Sequence, residues 1–165
     1  MGIRDSFTAE EWTDVRLAPM LASFAVTASD PSGLVGLFRE SSATAWSMKA
    51  MKEPAGTLAS EIVADYEESE ARGAIRGAIR DLARGRTPAE ATTAAIARLS
   101  EVARIVDAKA PAEADAFKVW ISETAASVAE ASTEGGFLGF GGTKVSEAER
   151  RTLAEIDAAL GLPAA

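Results

Sequence analysis

Neither cysteine nor histidine occurs among the 165 residues of the chain, and these two absences exclude whole classes of chemistry. Without thiolates there can be no disulfide framework, no cysteine nucleophile and no zinc–thiolate site. Without imidazole, a Ser-His-Asp triad, a helix-borne HExxH zinc site and the Glu-x-x-His ligands of di-iron bundles are impossible within this chain. The sequence therefore predicts no cofactor, and any bound metal would be a hard cation held by carboxylate and carbonyl oxygens.

Aromatic residues and positive charge are also scarce. Aromatics make up 6% of the chain, and much of its 47% hydrophobic content is alanine, which suits closely packed helices better than a β-sandwich. The net charge of -8 argues against a nucleic-acid partner, because such binding needs clustered Lys and Arg. No apolar run has the length of a membrane span, and the opening MGIRDS matches a short acylation pattern that often occurs by chance. We expect a cytoplasmic protein and no membrane association.

Three helix starts carry a capping box, in which Ser or Thr is followed three residues later by Glu. The pairs are Thr8 with Glu11, Thr87 with Glu90, and Ser146 with Glu149. Phe7 and Trp12 flank the first box at the spacing of a hydrophobic staple. Pro19 falls inside the helical pattern that follows, so we expect either a kink there or two short helices meeting.

Apolar residues at helical spacing complete about seven predicted helices and no strand, which indicates a single compact all-α domain. The helices begin near residues 8, 34, 58, 71, 88, 111 and 146. Several of their residues are predicted to face the core: Ile75, Ile79, Leu82, Phe117, Trp120, Ile121, Ala125, Val128, Leu153, Ile156 and Leu160.

Two segments of the chain resemble each other. ASDPSGLVGL (residues 28–37) and ASTEGGFLGF (residues 131–140) share their first two residues, two glycine positions and their large apolar positions. We interpret both as corners between helices, at which Phe137, Leu138 and Phe140 fold back as buried plugs. The chain would then form two pseudo-symmetric halves, approximately 1–84 and 85–165.

These corners carry a resemblance to a known family. An A-x-A-D-G-x-x-x-x-x-E corner that occurs twice and ends in L-x-x-I-x-x-x-L-G-L is similar to the TerB-like family of tellurite-resistance proteins. Here the second copy reads VAEASTEGG…TKVSEAERRTLAEIDAALGL (residues 128–162) with an inserted Gly-Phe-rich stretch, and the first reads VTASDPSG. The resemblance covers about a third of the chain. It implies a small acidic all-helical module linked to stress response, with divalent cations at the acidic corners of some members.

The acidic corner residues are the candidate cation ligands, because carboxylates suit Ca²⁺ or Mg²⁺. The candidates are Asp30, Glu40, Glu134, Glu147 and Glu149. Thr133 and Glu134 stand where the resemblance leads one to expect a second aspartate, which is a departure from the pattern. The alternative is that Asp30 caps a turn and Glu149 only completes its capping box.

Two sets of residues are candidate partner-binding sites. Arg72, Arg76 and Arg80 recur at every fourth position and could bind a phosphorylated ligand or an acidic partner, or could be a solvated face with a Glu68–Arg72 pair. Gly73 and Gly77, among them, indicate close contact with another helix. The second set is Phe137, Leu138 and Phe140, should they point outward instead of inward.

Taken together, these patterns predict a non-catalytic helical module that binds a protein partner whose identity the sequence does not give, with homo-oligomerisation also open. The alternatives are a Ca²⁺- or Mg²⁺-binding protein and a carboxylate-based enzyme of unknown reaction. No arrangement of catalytic groups is forced by the spacing of residues, so enzyme activity is the less favoured of these.

Overall fold

The computed structural model describes the backbone of residues 2–29, 53–134 and 145–164, and the side chains of the same residues apart from 132–134. Within these ranges the chain is all-helical and forms no strand. A 3₁₀ turn (Ile3–Ser6) precedes six α-helices: α1 Ala9–Ser29, α2 Leu58–Glu67, α3 Ser69–Ala83, α4 Pro88–Lys109, α5 Pro111–Glu134 and α6 Glu147–Leu160. The helix predicted from residue 34 to residue 49 lies outside the described residues.

The predicted capping boxes are confirmed. Thr8 N donates to Glu11 Oε2 at 2.8 Å, and the corresponding amides of Thr87 and Ser146 donate to Glu90 and Glu149 at the same distance. Phe7 and Trp12 form the predicted staple, with ring centroids 5.8 Å apart. Helix starts are thus fixed by interactions that span only a few residues.

Helix α1 continues through Pro19 as a single helix, so the alternative of two short helices was wrong. A proline forfeits one backbone hydrogen bond, but α1 is buried on most of its surface, and that burial outweighs the loss. The helix contacts each of the other five described helices. Its alanines Ala18, Ala22 and Ala25 are fully buried and let these neighbours approach closely.

The predicted core is confirmed in most positions. Phe117, Trp120 and Ile121 of α5 are buried, as are Ile156 and Leu160 of α6. Ala125, Val128 and Ile75 are buried with them. Three predicted core residues, Ile79, Leu82 and Leu153, are only partly buried. For Ile79 and Leu82 the reason is that they line an open cleft, described below.

The predicted corners fall mostly outside the described residues. Residues 28–29 end α1 and residues 131–134 end α5, so the described beginnings of both segments are helical. Phe137, Leu138 and Phe140 lie outside the described residues, and so do Asp30 and Glu40. The two-fold relation between the halves stays a prediction.

Candidate functional site

Asp65 is a buried carboxylate that joins three elements of the fold. Only 7% of the residue is exposed. Its Oδ2 accepts a 2.7 Å hydrogen bond from Trp12 Nε1 on α1. Arg4 Nη1 of the 3₁₀ turn lies 3.4 Å from Oδ1, and Arg16 Nη1 of α1 lies 3.5 Å from Oδ2. One acidic side chain of α2 therefore holds an aromatic donor and two guanidinium groups.

Helical spacing explains how these groups converge. Trp12 and Arg16 are four residues apart on α1, so their side chains leave the same face. Glu61 and Asp65 have the same relation on α2. Glu61 accepts the backbone N–H groups of Ile3 at 2.9 Å and Arg4 at 2.7 Å, which fixes the 3₁₀ turn against α2. Arg4 is thereby held beside Asp65.

Tyr66, next to Asp65, packs inward on the same helix. Its hydroxyl donates to the backbone carbonyl of Arg16 at 2.9 Å. Burial raises the pKa of the Tyr66 hydroxyl far above its ordinary value of 10.0, although the nearby Arg16 acts in the opposite direction. The phenol therefore stays protonated and serves as a hydrogen-bond donor instead of an acid–base group.

An open cleft of about 430 Å³ lies on the outer side of this cluster, and we call it the N-terminal cleft. Its lining residues are Arg4, Asp5, Phe7, Thr8, Ala9, Trp12, Thr13 and Arg16. The Arg4 guanidinium lies over the Trp12 ring, 5.4 Å from the centroid, at cation–π distance. The Arg16 Nε is shielded from solvent and makes no hydrogen bond with any residue that the structure describes. The cleft thus presents arginine donors beside two aromatic rings.

A second open cleft, of about 420 Å³, lies between α1, α3 and α4, and we call it the α3 cleft. Apolar side chains from α1 and α3 form its walls, and charged side chains of the α4 region border it. The residues that matter here are Leu17, Leu21, Ile79, Leu82, Arg86 and Arg98. Arg98 is also paired with Asp14, at 2.5 Å. Glu101 lines it as well, so the cleft is apolar inside and its rim carries charges of both signs.

The arginines of the predicted series have different environments in the structure. Arg72 Nη1 donates to the carbonyls of Tyr66 and Glu67, both at 2.9 Å, and so satisfies the last turn of α2. Arg76 and Arg80 are exposed on the outer face of α3. Of the three arginines predicted to bind a partner, Arg72 thus has a structural role, while Arg76 and Arg80 face outward.

The prediction that Gly73 and Gly77 mark a close helix contact was wrong for the described part of the molecule. A Cβ atom built at either position would meet no atom within 4 Å. The two glycines lie on the side of α3 that faces away from its packed residues, Ala71 and Ile75. No neighbouring helix in the described ranges requires glycine at these sites.

The described acidic residues do not converge as cation ligands. Among the residues that the structure describes, no group of three or more acidic side chains could hold a metal ion. Glu149 is buried and accepts the Ser146 amide in its capping box, as the alternative interpretation expects. Glu147 is exposed at the start of α6, and only the backbone of Glu134 is described, at the end of α5.

Sequence reasoning missed both clefts and the Asp65 cluster. Asp65 stands at the start of the acidic run DYEESE, which looks like a solvated stretch in the sequence. The available signal was the pairing of Trp12 with Arg16 on one helical face, which puts a donor and a cation side by side. Their common partner is Asp65, 53 residues beyond Trp12, and nothing in the sequence around Asp65 identifies it as that partner.

Two further findings bear on the site. None of the described helices combines the length and apolar character needed to cross a lipid bilayer. No protein-family model, curated protein or solved structure matches the chain.

Proposed function

We propose that the chain is a non-catalytic module that binds an acidic, amphipathic helix of a partner protein along α3. The observation that carries this proposal is the apolar α3 cleft, with Arg86 and Arg98 at its border and the exposed Arg76 and Arg80 elsewhere on α3, on a protein whose net charge is -8. A basic surface on an acidic protein attracts an acidic partner to one place and disfavours most others.

Helix α3 carries both basic residues and part of the apolar cleft. Arg76 precedes Ile79 by three residues, so the two are neighbours on the helix surface, and Ile79 is a wall of the α3 cleft. Arg86 borders the cleft from the far end of the same segment. A helix with one apolar stripe and flanking carboxylates would fill the cleft and meet arginines at its edges.

The charge of this segment differs in sign from that of the chain. Residues 69–86 contain five arginines and two acidic residues, whereas the whole chain has 25 acidic and 17 basic residues. Arg84 is paired with Asp81 at 2.9 Å, but Arg76 and Arg80 remain exposed. An acidic partner is therefore the class that this surface selects.

The described side chains give less support to an enzyme. Ser122 Oγ donates to Asp157 Oδ1 at 2.5 Å, which pairs a hydroxyl with a carboxylate. This pair joins α5 to α6 and lines neither cleft. This geometry is that of a structural hydrogen bond between two helices.

We also propose that the chain is a member of the TerB-like family. With that membership we propose a role in stress response and a cytoplasmic location. The repeated Gly-containing segments and the L-x-x-I-x-x-x-L-G-L ending support the kinship, and the all-helical architecture is compatible with it. TerB-like domains often act in assemblies, which agrees with a partner-binding surface.

The direct test uses a synthetic helical peptide of about five turns with leucine on one face and glutamate on the other. We expect fluorescence anisotropy to report binding, with a Kd on the order of 10 μM. The double variant R76E/R80E should weaken binding at least about tenfold, because it reverses two positive charges on the helix that forms a wall of the cleft. The matched control R150E/R151E makes the same charge change on α6, where both arginines are exposed, and should leave binding within about twofold.

Two outcomes would contradict the proposal. One is the absence of binding, or an equal loss in the α3 and α6 variants, which would reduce the effect to net charge. The other is a wild-type dimer in light scattering that R76E/R80E converts to monomer. In that case the occupant of the cleft is a second copy of the chain, and the heterologous partner is wrong.

A further inference from the structure

We infer that the N-terminal cleft binds the oxyanion head, carboxylate or phosphate, of a small ligand between Arg4 and Arg16. This inference is independent of the proposed function, because the N-terminal cleft and the α3 cleft share no lining residue. It starts from one buried hydrogen-bond donor at the cleft, Arg16 Nε, that has no acceptor among the described residues.

Arg16 carries this donor. Its side chain is only 18% exposed, and its Nη1 lies 3.5 Å from Asp65 Oδ2. The Nε is buried and has no hydrogen-bond partner in the part of the chain that the structure describes. Buried polar groups in folded proteins almost always have a partner, and those that lack one commonly belong to a site that a ligand or ordered water completes.

Arg4 supplies the second guanidinium. Its side chain is 59% exposed, and it is held over the Trp12 ring while Nη1 lies 3.4 Å from Asp65 Oδ1. A guanidinium has five N–H donors, so Asp65 orients both arginines and leaves several donors of each for another acceptor. Asp65 thereby acts as the positioning residue behind the cleft.

The other polar groups of the cleft are compatible with an anion. Thr8 Oγ1 accepts the Glu11 amide at 3.2 Å and keeps its own proton for donation. Thr13 Oγ1 donates to the Ala9 carbonyl at 2.8 Å. Asp5, the acidic residue among the lining side chains, accepts the Gly2 amide at 2.9 Å through Oδ2. The Asp5 carboxylate therefore bonds within the N-terminal 3₁₀ turn.

The cleft also defines the body of the ligand. An arginine fork binds two oxygens of a carboxylate or phosphate side by side. Phe7 and Trp12 line the cleft but are only 9% and 3% exposed, so their rings add little contact surface. The volume of about 430 Å³ suits a small molecule, and the ligand class is therefore a small carboxylate or phosphate.

The test titrates the full chain with benzoate, phenyl phosphate and inorganic phosphate at constant ionic strength. The readout is the NMR signal of the Trp12 indole N–H, identified by its loss in Trp12→Phe. We expect a saturable shift with a Kd on the order of 1 mM or tighter for at least one organic probe. Arg4→Gln and Arg16→Lys should each weaken it about tenfold or more, because each removes donors of the fork.

The matched control is Arg84→Gln, which removes an exposed arginine elsewhere and should leave the shift unchanged. Saturation by benzoate alone assigns a carboxylate, and saturation by phenyl phosphate together with inorganic phosphate assigns a phosphate. The inference is overturned if no probe saturates below about 10 mM, or if Arg4→Gln binds as the wild type does. Arg4 is exposed enough for its variant to fold, so this second criterion applies even if Arg16→Lys unfolds.

Discussion

Trp12 Nε1 on α1 and Asp65 Oδ2 on α2 are joined by a 2.7 Å hydrogen bond between residues 53 positions apart in the chain. Both residues are buried, so the bond is shielded from water. The buried Asp65 carboxylate depends on its protein donors, because water cannot reach it to replace a lost hydrogen bond. The same bond fixes the floor of the N-terminal cleft.

Removal of this donor should weaken the fold. Trp12→Phe keeps an aromatic ring and leaves Asp65 with one fewer donor, so we expect the free energy of unfolding to fall by about 1–3 kcal/mol in urea denaturation. In a double-mutant cycle with Asp65→Ala, the two changes should couple by at least about 0.5 kcal/mol. Additive losses would show that the bond contributes nothing beyond packing.

Two neighbouring positions on α5 should differ strongly in their effect on stability. Ile121 is fully buried, whereas Val119 is 45% exposed. Ile121→Ala should cost about 2–5 kcal/mol because it leaves a cavity. Val119→Ala should stay within about 0.5 kcal/mol of the wild type. Thermal and urea unfolding measure both, and equal losses at the two positions would contradict the described packing of α5.

Acid should weaken the cap of α4. The hydrogen bond from the Thr87 backbone lowers the pKa of the Glu90 carboxyl below its ordinary value of 4.5. A carboxyl with a lowered folded-state pKa stabilises the protein above its unfolded pKa, and that contribution is lost as the pH falls through the folded value. The melting temperature of the wild type should therefore exceed that of Glu90→Gln near neutral pH.

The difference in melting temperature between the wild type and Glu90→Gln should narrow as the pH falls below 4.5. Glu90→Gln is the suitable comparison because glutamine can still accept a hydrogen bond from the Thr87 amide but does not titrate. Melting curves from about pH 7 to about pH 3, at constant ionic strength, measure the gap. A gap that does not change with pH would refute the assignment.

Alanine in place of the open glycines of α3 should stabilise the protein. A Cβ at Gly73 or Gly77 meets no described atom, and alanine is the better helix former by about 0.5–1 kcal/mol. Gly161→Ala is the control: its φ of +75° is left-handed, and we expect it to cost about 1 kcal/mol. Destabilisation by Gly73→Ala would indicate a neighbour on this face that the described residues do not supply.

Local patterns account for much of what could be predicted about the fold. A capping box involves residues three positions apart, so Thr8, Thr87 and Ser146 marked their helix starts without knowledge of the rest of the chain. Helical periodicity placed Trp120 and Ile156 in the core for a similar reason. Pro19 was ambiguous because its effect depends on what the helix around it buries.

The candidate sites show where local patterns stop being sufficient. Arg72, Arg76 and Arg80 look equivalent in the sequence, but only the fold places the α2 carbonyls beside Arg72 and leaves the other two outside. Glu149 was a candidate metal ligand whose favoured alternative was a capping role, and the described side chains show the cap.

The sequence by itself determined that the described chain is helical, where most of its helices begin and which chemistries are impossible, because these depend on composition and on interactions a few residues long. Only the tertiary structure decided that Asp65 is buried with Trp12, Arg4 and Arg16, and that two clefts open beside α1. The physical reason is that burial and charge pairing depend on which helices meet in space, and residues more than 50 positions apart carry no local record of that meeting.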